Sequence, residues 1–341
     1  MHSHLSGIQQ IGIGVGNAEQ AMYLYKELFG LDVLIFDDHA EALLMTQYTG
    51  NKVHSRRAIL TMNLQGGGGF EIWQYKERKP LPNVNNYYGA IGIYAAIIKS
   101  RDIQKSWNRF KNRDDVSISE LEKDGSGQTY FWLTDVFNNT FKISEFNHWF
   151  QDIKKDTGGV VGSVIGVSDM EKSMAFYQNV LGLKSVIYDD TFLQNGKQFR
   201  KVGLLKKAMG FGAFDALLGD VFIELVQSKN PAQKILQDRF WGDCGFIHLC
   251  FDVICMESLK VNAKQHNYEF SVDSENSFGM DNASGRFCYM EDPDGTLIEL
   301  VETHKVPILK KLGLYLNLKN RKKGKPLPNF LIKLLALSKV K

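Results

Sequence analysis

The chain repeats itself, and no other feature of the sequence constrains its fold as strongly. IQQIGIGVGNAEQAMYLYKELFGLDV at 8–33 is echoed by VVGSVIGVSDMEKSMAFYQNVLGLKSV at 160–186. Each reads as a short strand, a cap and an amphipathic helix, with Asn17 and Asp169 at the N-caps and Gly30 and Gly182 where the helices should stop. A weaker echo pairs YYGAIGIYAAIIKSRDIQKSW at 87–107 with CGFIHLCFDVICMESLK at 244–260. The offset is nearly constant: position 10 pairs with 162, 71 with 224, 92 with 248 and 142 with 299, a shift of 152 to 157 residues. The chain is therefore two halves, each holding two strand, helix, strand, strand, strand units.

The closing strands of the four units are GGFEIWQY, FNNTFKISEF, DVFIELVQ and DGTLIELVE. Three of them alternate apolar with polar or charged residues, the pattern of a strand with one face on a core and the other on something polar. Before the last strand, EDPDG supplies turn geometry through Pro293 and Gly295. The run Gly66 to Gly69 leads into a strand with no Lys-Ser/Thr after it, so it is not a phosphate loop. The pattern predicts an α+β fold of four βαβββ units in two tandem modules. Module boundaries fall at 7–150 (units 7–80 and 87–150) and 157–304 (units 157–230 and 243–304), followed by a basic helical tail at 305–341.

Composition supports two filled cores, with 44% apolar and 12% aromatic residues over 341 positions. The net charge of +3 hides an asymmetry. Residues 305–341 carry eleven Lys/Arg and no Asp/Glu, which leaves 30 basic against 38 acidic side chains in 1–304. Cys244, Cys250, Cys255 and Cys288 lack both zinc-ribbon spacing and disulfide-scaffold density, and read as reduced thiols of a cytoplasmic protein. No leader pattern opens the chain, and no apolar run reaches the roughly 20 residues a bilayer requires.

Four such units, a helix ending FYQNVLGL and a final DPDGTLIELVE resemble the vicinal oxygen chelate superfamily, which includes glyoxalase I, extradiol dioxygenases, methylmalonyl-CoA epimerase and the fosfomycin and bleomycin resistance proteins. The resemblance covers about residues 7–303. It implies that paired units curl into cradles, where side chains from the first and last strand of each unit hold one divalent metal. The matching positions are Gln10 and Glu71 in unit one, Gly92 and Lys142 in unit two, Gly162 and Glu224 in unit three, and His248 and Glu299 in unit four.

Two pairings of units are open. Joining one with two and three with four puts Lys142 against a metal in one cradle and leaves Glu224, His248 and Glu299 in the other. Joining one with four and two with three gathers Gln10, Glu71, His248 and Glu299, and leaves Lys142 and Glu224 to form an ion pair in a dead pocket. The second pairing is the simpler account, and Gln, Glu, His, Glu is the set that similar glyoxalase I enzymes use. One imidazole, one amide and two carboxylates suit Zn, Ni, Co, Mn or Fe(II) alike. The resemblance then implies a lyase or isomerase acting on a carbonyl or thioester-type substrate through a metal-stabilised enediolate, lactoylglutathione lyase being its nearest example. Glu299 and Glu71 are the candidate catalytic bases. Gly12 and Gly14, and Cys250 and Asp252, follow on the same strand faces and are expected to leave the site roomy. An Fe(II) ring-cleaving dioxygenase, which wants two histidines and one glutamate, and a non-catalytic small-molecule binder of the resistance type are the alternatives. His2, His4, His39, His54, His148, His266 and His304 lie off the motif positions.

The tail holds two apolar stretches, ILKKLGLYLNL and NFLIKLLALSKV, around a basic NRKKGKPLP hinge. Its apolar residues recur at helical spacing. The expected roles are packing on the body, self-association as in a homodimer, or contact with an anionic membrane surface. Nucleic acid is not an expected partner, because the body is acidic and the tail lacks interleaved stacking aromatics.

Overall fold

The computed structural model describes residues 5–84, 86–275, 278–280, 283–309, 313–318 and 324–340. His2, His4 and the first four residues of the basic hinge, 320–323, lie outside the described residues. Unit one comprises β1 (Leu5–Gly14), α1 (Ala18–Phe29), β2 (Val33–Glu41), β3 (Ser55–Met62) and β4 (Gly69–Tyr75). Unit two comprises β5 (Gly92–Ser100), α2 (Ile103–Lys111), β6 (Val116–Ile118), β7 (Glu122–Lys123), β8 (Thr129–Asp135) and β9 (Thr140–Glu145). Unit three comprises β10 (Thr157–Val167), α3 (Met170–Asn179), β11 (Ser185–Gln194), β12 (Lys197–Lys206), α4 (Asp215–Leu218) and β13 (Val221–Ser228). Unit four comprises β14 (Gly245–Val253), α5 (Met256–Gln265), β15 (Val272–Asp273), β16 (Phe278–Met280), β17 (Ala283–Glu291) and β18 (Leu297–Leu309). The tail adds β19 (Leu314–Asn317) and α6 (Asn329–Lys333), which runs into a 3-10 turn at Leu334–Ser338.

Helices α1, α2 and α3 start where an oxygen-bearing side chain satisfies a free backbone donor. Asn17, Asp102 and Asp169 accept from the N–H of Gln20 (3.0 Å), Lys105 (2.9 Å) and Lys172 (3.1 Å). Helix α1 stops at Gly30, whose φ of 66° is left-handed. Helix α3 ends at Asn179, and Gly182 two residues past its cap turns the chain with φ 77° so that the Leu183 N–H reaches the Tyr177 carbonyl at 3.0 Å.

The sheets cut across the halves of the sequence. One runs β15-β17-β18-β14-β1-β4-β3-β2 and is built from units four and one; the other runs β11-β12-β13-β10-β5-β9-β8-β6, from units three and two. At each centre two first strands meet antiparallel, β1 with β14 and β10 with β5. Each first strand also runs parallel to the last strand of its own unit.

Helices lie between the two sheets. The Tyr25 ring of α1 is 4.9 Å from Phe70 of the first sheet and 5.9 Å from Phe141 of the second. Its hydroxyl donates to Asp135 (2.9 Å), and the equivalent Tyr177 of α3 donates to Asp292 (3.1 Å). Each aspartate also closes its own turn, Asp135 accepting from Phe137 and Asn139 and Asp292 from Asp294 and Thr296. DVFNN and DPDGT are thus one device used twice, tying unit one to two and unit three to four across the sheets. Burial pushes both carboxyls up to about 6.

The glycine run has a packing role. A Cβ at Gly67 would lie 2.7 Å from the Gly159 carbonyl carbon, and Gly68 exchanges both backbone hydrogen bonds with Val160 at 2.7 and 3.0 Å. Nearby, Lys99 is buried, its Nζ donating to the His148 carbonyl (2.9 Å) and lying 4.7 Å from the Trp149 ring. Burial pushes its ammonium down to about 7. A lysine depressed on folding disfavours the fold below that value, and the penalty lifts as pH rises towards the unfolded value of about 10.4. Denaturant midpoints taken across that window should show stability rising with a slope of up to about 1.4 kcal/mol per pH unit, and Lys99→Met should remove that rise.

Among the described residues the tail is helical only in its second apolar stretch. The first continues β18 to Leu309 and folds back as β19, with Val306 opposite Leu316 and Lys305 opposite Asn317. The helical stretch then packs on the first sheet, where Ile332 and Leu335 are buried and the Val340 N–H reaches the Asp32 carbonyl at 2.7 Å.

Candidate metal centre

Strand register brings the four matched positions of units one and four together. Gly12 sits opposite His248 on β14 and beside Glu71 on β4; Gln10 sits opposite Cys250, which lies beside Glu299 on β18. Four central strands therefore aim Gln10, Glu71, His248 and Glu299 into one cradle. His248 Nε2 lies 3.2 Å from Glu71 Oε2 and 3.1 Å from Glu299 Oε2. The Gln10 amide donates to the same two oxygens at 3.0 and 3.3 Å. One ligand atom each from Glu71, His248 and Glu299 falls within 4.8 Å of the others.

Gly12 makes this possible, though not by leaving room. A Cβ there would lie 2.4 Å from His248 Cε1 and 2.6 Å from Nε2, so the imidazole occupies the space the side chain gives up. The space at Gly14 is likewise taken, by the Asp243 carbonyl oxygen at 2.0 Å from a would-be Cβ. The expectation of a roomy strand face is corrected on this point: both glycines admit close neighbours rather than a ligand.

Burial alone would lower the His248 pKa, but Glu299 and Glu71 more than reverse this and hold it up at about 9. Burial would raise Glu299, and His248 draws it below the usual carboxylate range. The other ring nitrogen, Nδ1, lies 3.3 Å from the Tyr289 hydroxyl, which orients the ring so that Nε2 faces the carboxylates. Trp241 stacks on the same imidazole, centroids 6.0 Å apart at 19°.

Two atoms test whether a cation suits the set. Gln10 Oε1 is buried without a hydrogen-bond partner, and His248 Nε2, although close to two carboxylates, makes no well-directed hydrogen bond. A half-turn of the Gln10 amide would exchange its nitrogen for that orphan oxygen beside the same carboxylate atoms. Two carboxylates, an imidazole and an amide oxygen then form a mixed N/O set that fits a divalent ion.

Two spaces lie along this sheet. A cavity of about 380 Å³ reaches from Glu71 and Glu299 past Trp73, Trp241, Phe287 and Tyr289 to Arg56. Arg56 is buried and paired with Asp38 at 2.7 Å. A separate small apolar space of about 80 Å³ is lined by Leu60, Met62, Val301 and Leu218 with Leu335 of the tail. Sequence reasoning missed Tyr289 and Trp241. Tyr289 could have been found, because pairing β17 and β18 outward from the DPDG turn sets it opposite Glu299. Trp241 lies outside every strand and carried no periodic signal.

The second cradle is sealed. Lys142 Nζ lies 2.8 Å from Glu224 Oε2, both side chains are buried, and the Tyr188 hydroxyl donates to the same carboxylate. A Cβ at Gly162 would collide with the Phe222 carbonyl oxygen at 1.8 Å. Tyr88, Tyr94, Trp132, Phe192 and Phe199 pack around this pair as an aromatic cluster. Of the other histidines, His54 pairs with Glu77 at 3.0 Å and His266 with the Asn262 carbonyl at 2.9 Å, both away from the cluster.

Residues 160–300 match the Glyoxalase/Bleomycin resistance protein/Dioxygenase superfamily, and the chain carries a domain of that family. Solved structures with the same fold include glyoxalase I from Zea mays, at 13% identity and a TM-score of 0.53 over 87% of this chain and 92% of that one. A point mutant of the same maize enzyme aligns at 12% identity and a TM-score of 0.55 over 87% and 93%. A Bacillus subtilis strain 168 protein proposed to be a dioxygenase aligns at 14% identity and a TM-score of 0.55 over 88% and 86%. No curated protein matches the sequence.

Proposed function

We propose that this protein is a metal-dependent enzyme in which Gln10, Glu71, His248 and Glu299 hold one divalent ion and one of the two carboxylates moves a proton on a carbonyl substrate. The reading rests on one observation above all, the convergence of four donors from strands up to 289 residues apart, with the Gln10 oxygen left unpartnered. When bound, the ion supplies Lewis-acid stabilisation of negative charge on a substrate oxygen. The chain supplies the rest. Glu71 and Glu299 border the open cavity and are placed to take the proton; His248, steadied by Tyr289 and Trp241, and Gln10 hold position.

The ligand set is of the glyoxalase I kind, and the cavity bears on the substrate. Arg56, the cation among its lining residues, is already neutralised by Asp38, while Glu41 adds negative charge to the wall. A neutral substrate with an apolar or aromatic group suits such walls better than the dicarboxylate of a glutathione conjugate. Protein purified from metal-replete medium should carry one equivalent of divalent metal, and Ni or Zn added to chelated protein should raise its melting temperature. Absence of both sinks the reading. Hemithioacetals of one aldehyde with glutathione and with 2-mercaptoethanol separate the substrate classes, and faster turnover of the glutathione adduct would overturn the preference for a neutral substrate.

A further inference from the structure

The C-terminal helical stretch, Asn329 to Ser338, is apolar on two opposite faces. Ile332 and Leu335, 0% and 3% exposed, point into the body. Phe330, Leu334 and Leu337 are 65%, 38% and 57% exposed, and their spacing of four and then three residues sets them on one line away from the buried pair. The ridge is held rigidly. Lys339 bridges Val33, the Val340 N–H donates to the Asp32 carbonyl, and the Ser338 hydroxyl donates to the Ile308 carbonyl. Lys325 and Lys333 are exposed on the same segment. Across 305–341 the chain carries eleven Lys/Arg and no Asp/Glu, against an acidic excess of 38 to 30 in the rest.

From this arrangement we infer that the tail docks the protein on an anionic lipid surface, with Phe330, Leu334 and Leu337 inserted at the headgroup boundary and Lys325 and Lys333 over the headgroups. An apolar ridge beside exposed Lys325 and Lys333, in a tail sequence without Asp or Glu, is the composition of an interfacial anchor, and neither part holds firmly without the other. The acidic body favours one orientation, tail towards the surface. Among the described residues no helix is long and apolar enough to cross a membrane, so the contact is interfacial. A second copy of the chain fits poorly. Three side chains fall well short of the ~800 Å² per partner of a stable interface, and a two-fold contact would set one cationic tail against another. The ridge is also fixed before binding, so little ordering opposes insertion.

Flotation of the full chain with phosphatidylcholine vesicles, with and without phosphatidylserine, tests this. Binding is expected on the phosphatidylserine vesicles alone, and it should fall as salt rises. The exposed-face double variant Phe330→Ser/Leu334→Ser should bind at least about tenfold more weakly with its melting temperature unchanged, and so should the charge reversal Lys325→Glu/Lys333→Glu. Three results overturn the inference: no binding to anionic vesicles, equal binding to neutral ones, or undiminished binding by the double variant. A concentration-dependent dimer that the double variant abolishes would assign the ridge to a second copy instead.

Discussion

Gln10→Ala and His248→Ala should each weaken the same divalent ion, His248→Ala by at least about a hundredfold and Gln10→Ala by about tenfold. Titration against a competing chelating dye measures both. The two positions are 238 residues apart in sequence and meet only because β1 pairs with β14, where Gly12 faces His248. If Gln10→Ala leaves affinity untouched, unit one contributes nothing to the ion and the shared centre is wrong. Gly12→Val is the sharper variant, because it keeps every donor. Its Cβ would sit within 2.4 Å of the imidazole, so His248 must leave its place between Glu71 and Glu299. Metal loss comparable to that of His248→Ala is the expected result. Retained affinity would mean that the ring position does not matter to binding.

The sequence made the four donor positions legible and left their company undecided, for a physical reason. The offset of 152 to 157 residues aligns first strands with first strands and last with last, which locates Gln10, Glu71, His248 and Glu299. Which first strands pair edge to edge is not written in alternation, since β1 would show the same apolar pattern against β5 as against β14. Close approach was misread as open space at Gly12, because a missing Cβ looks the same in sequence whether a ligand or a neighbouring ring fills the gap. The tail's first stretch has helical spacing, yet strand pairing along the end of β18 overrode it. Val306 and Ile308 are β-branched, lie on a strand already begun, and find a partner in Leu314–Asn317.

The sealed cradle carries the largest expected effect on stability. Lys142→Met alone should cost about 3–5 kcal/mol, because it leaves the Glu224 carboxylate buried without its cation. Lys142→Met/Glu224→Met should recover most of that loss, since the surrounding Tyr188, Phe222 and Tyr130 can pack on apolar side chains. Urea denaturation of the three proteins measures the cycle, and a single variant costing under about 1 kcal/mol would show that the pair does not hold the cradle closed. The pH dependence has a definite sign. Burial would raise the Glu224 carboxyl, Lys142 pulls it down further, and the net folded value is lowered. Its contribution is therefore present above the unfolded value of about 4.3 and lost as pH falls through the lower folded one; the double variant should lack that slope. Metal affinity should stay unchanged throughout, because the pair lies in the other sheet. By the repeat, Lys142 occupies the place of Glu299 and Glu224 that of Glu71. One cradle thus balances its charge from within, by an ammonium on a carboxylate. The other sets two carboxylates around a single imidazole and an unpartnered amide oxygen, and it is this residual negative charge that an added cation would answer.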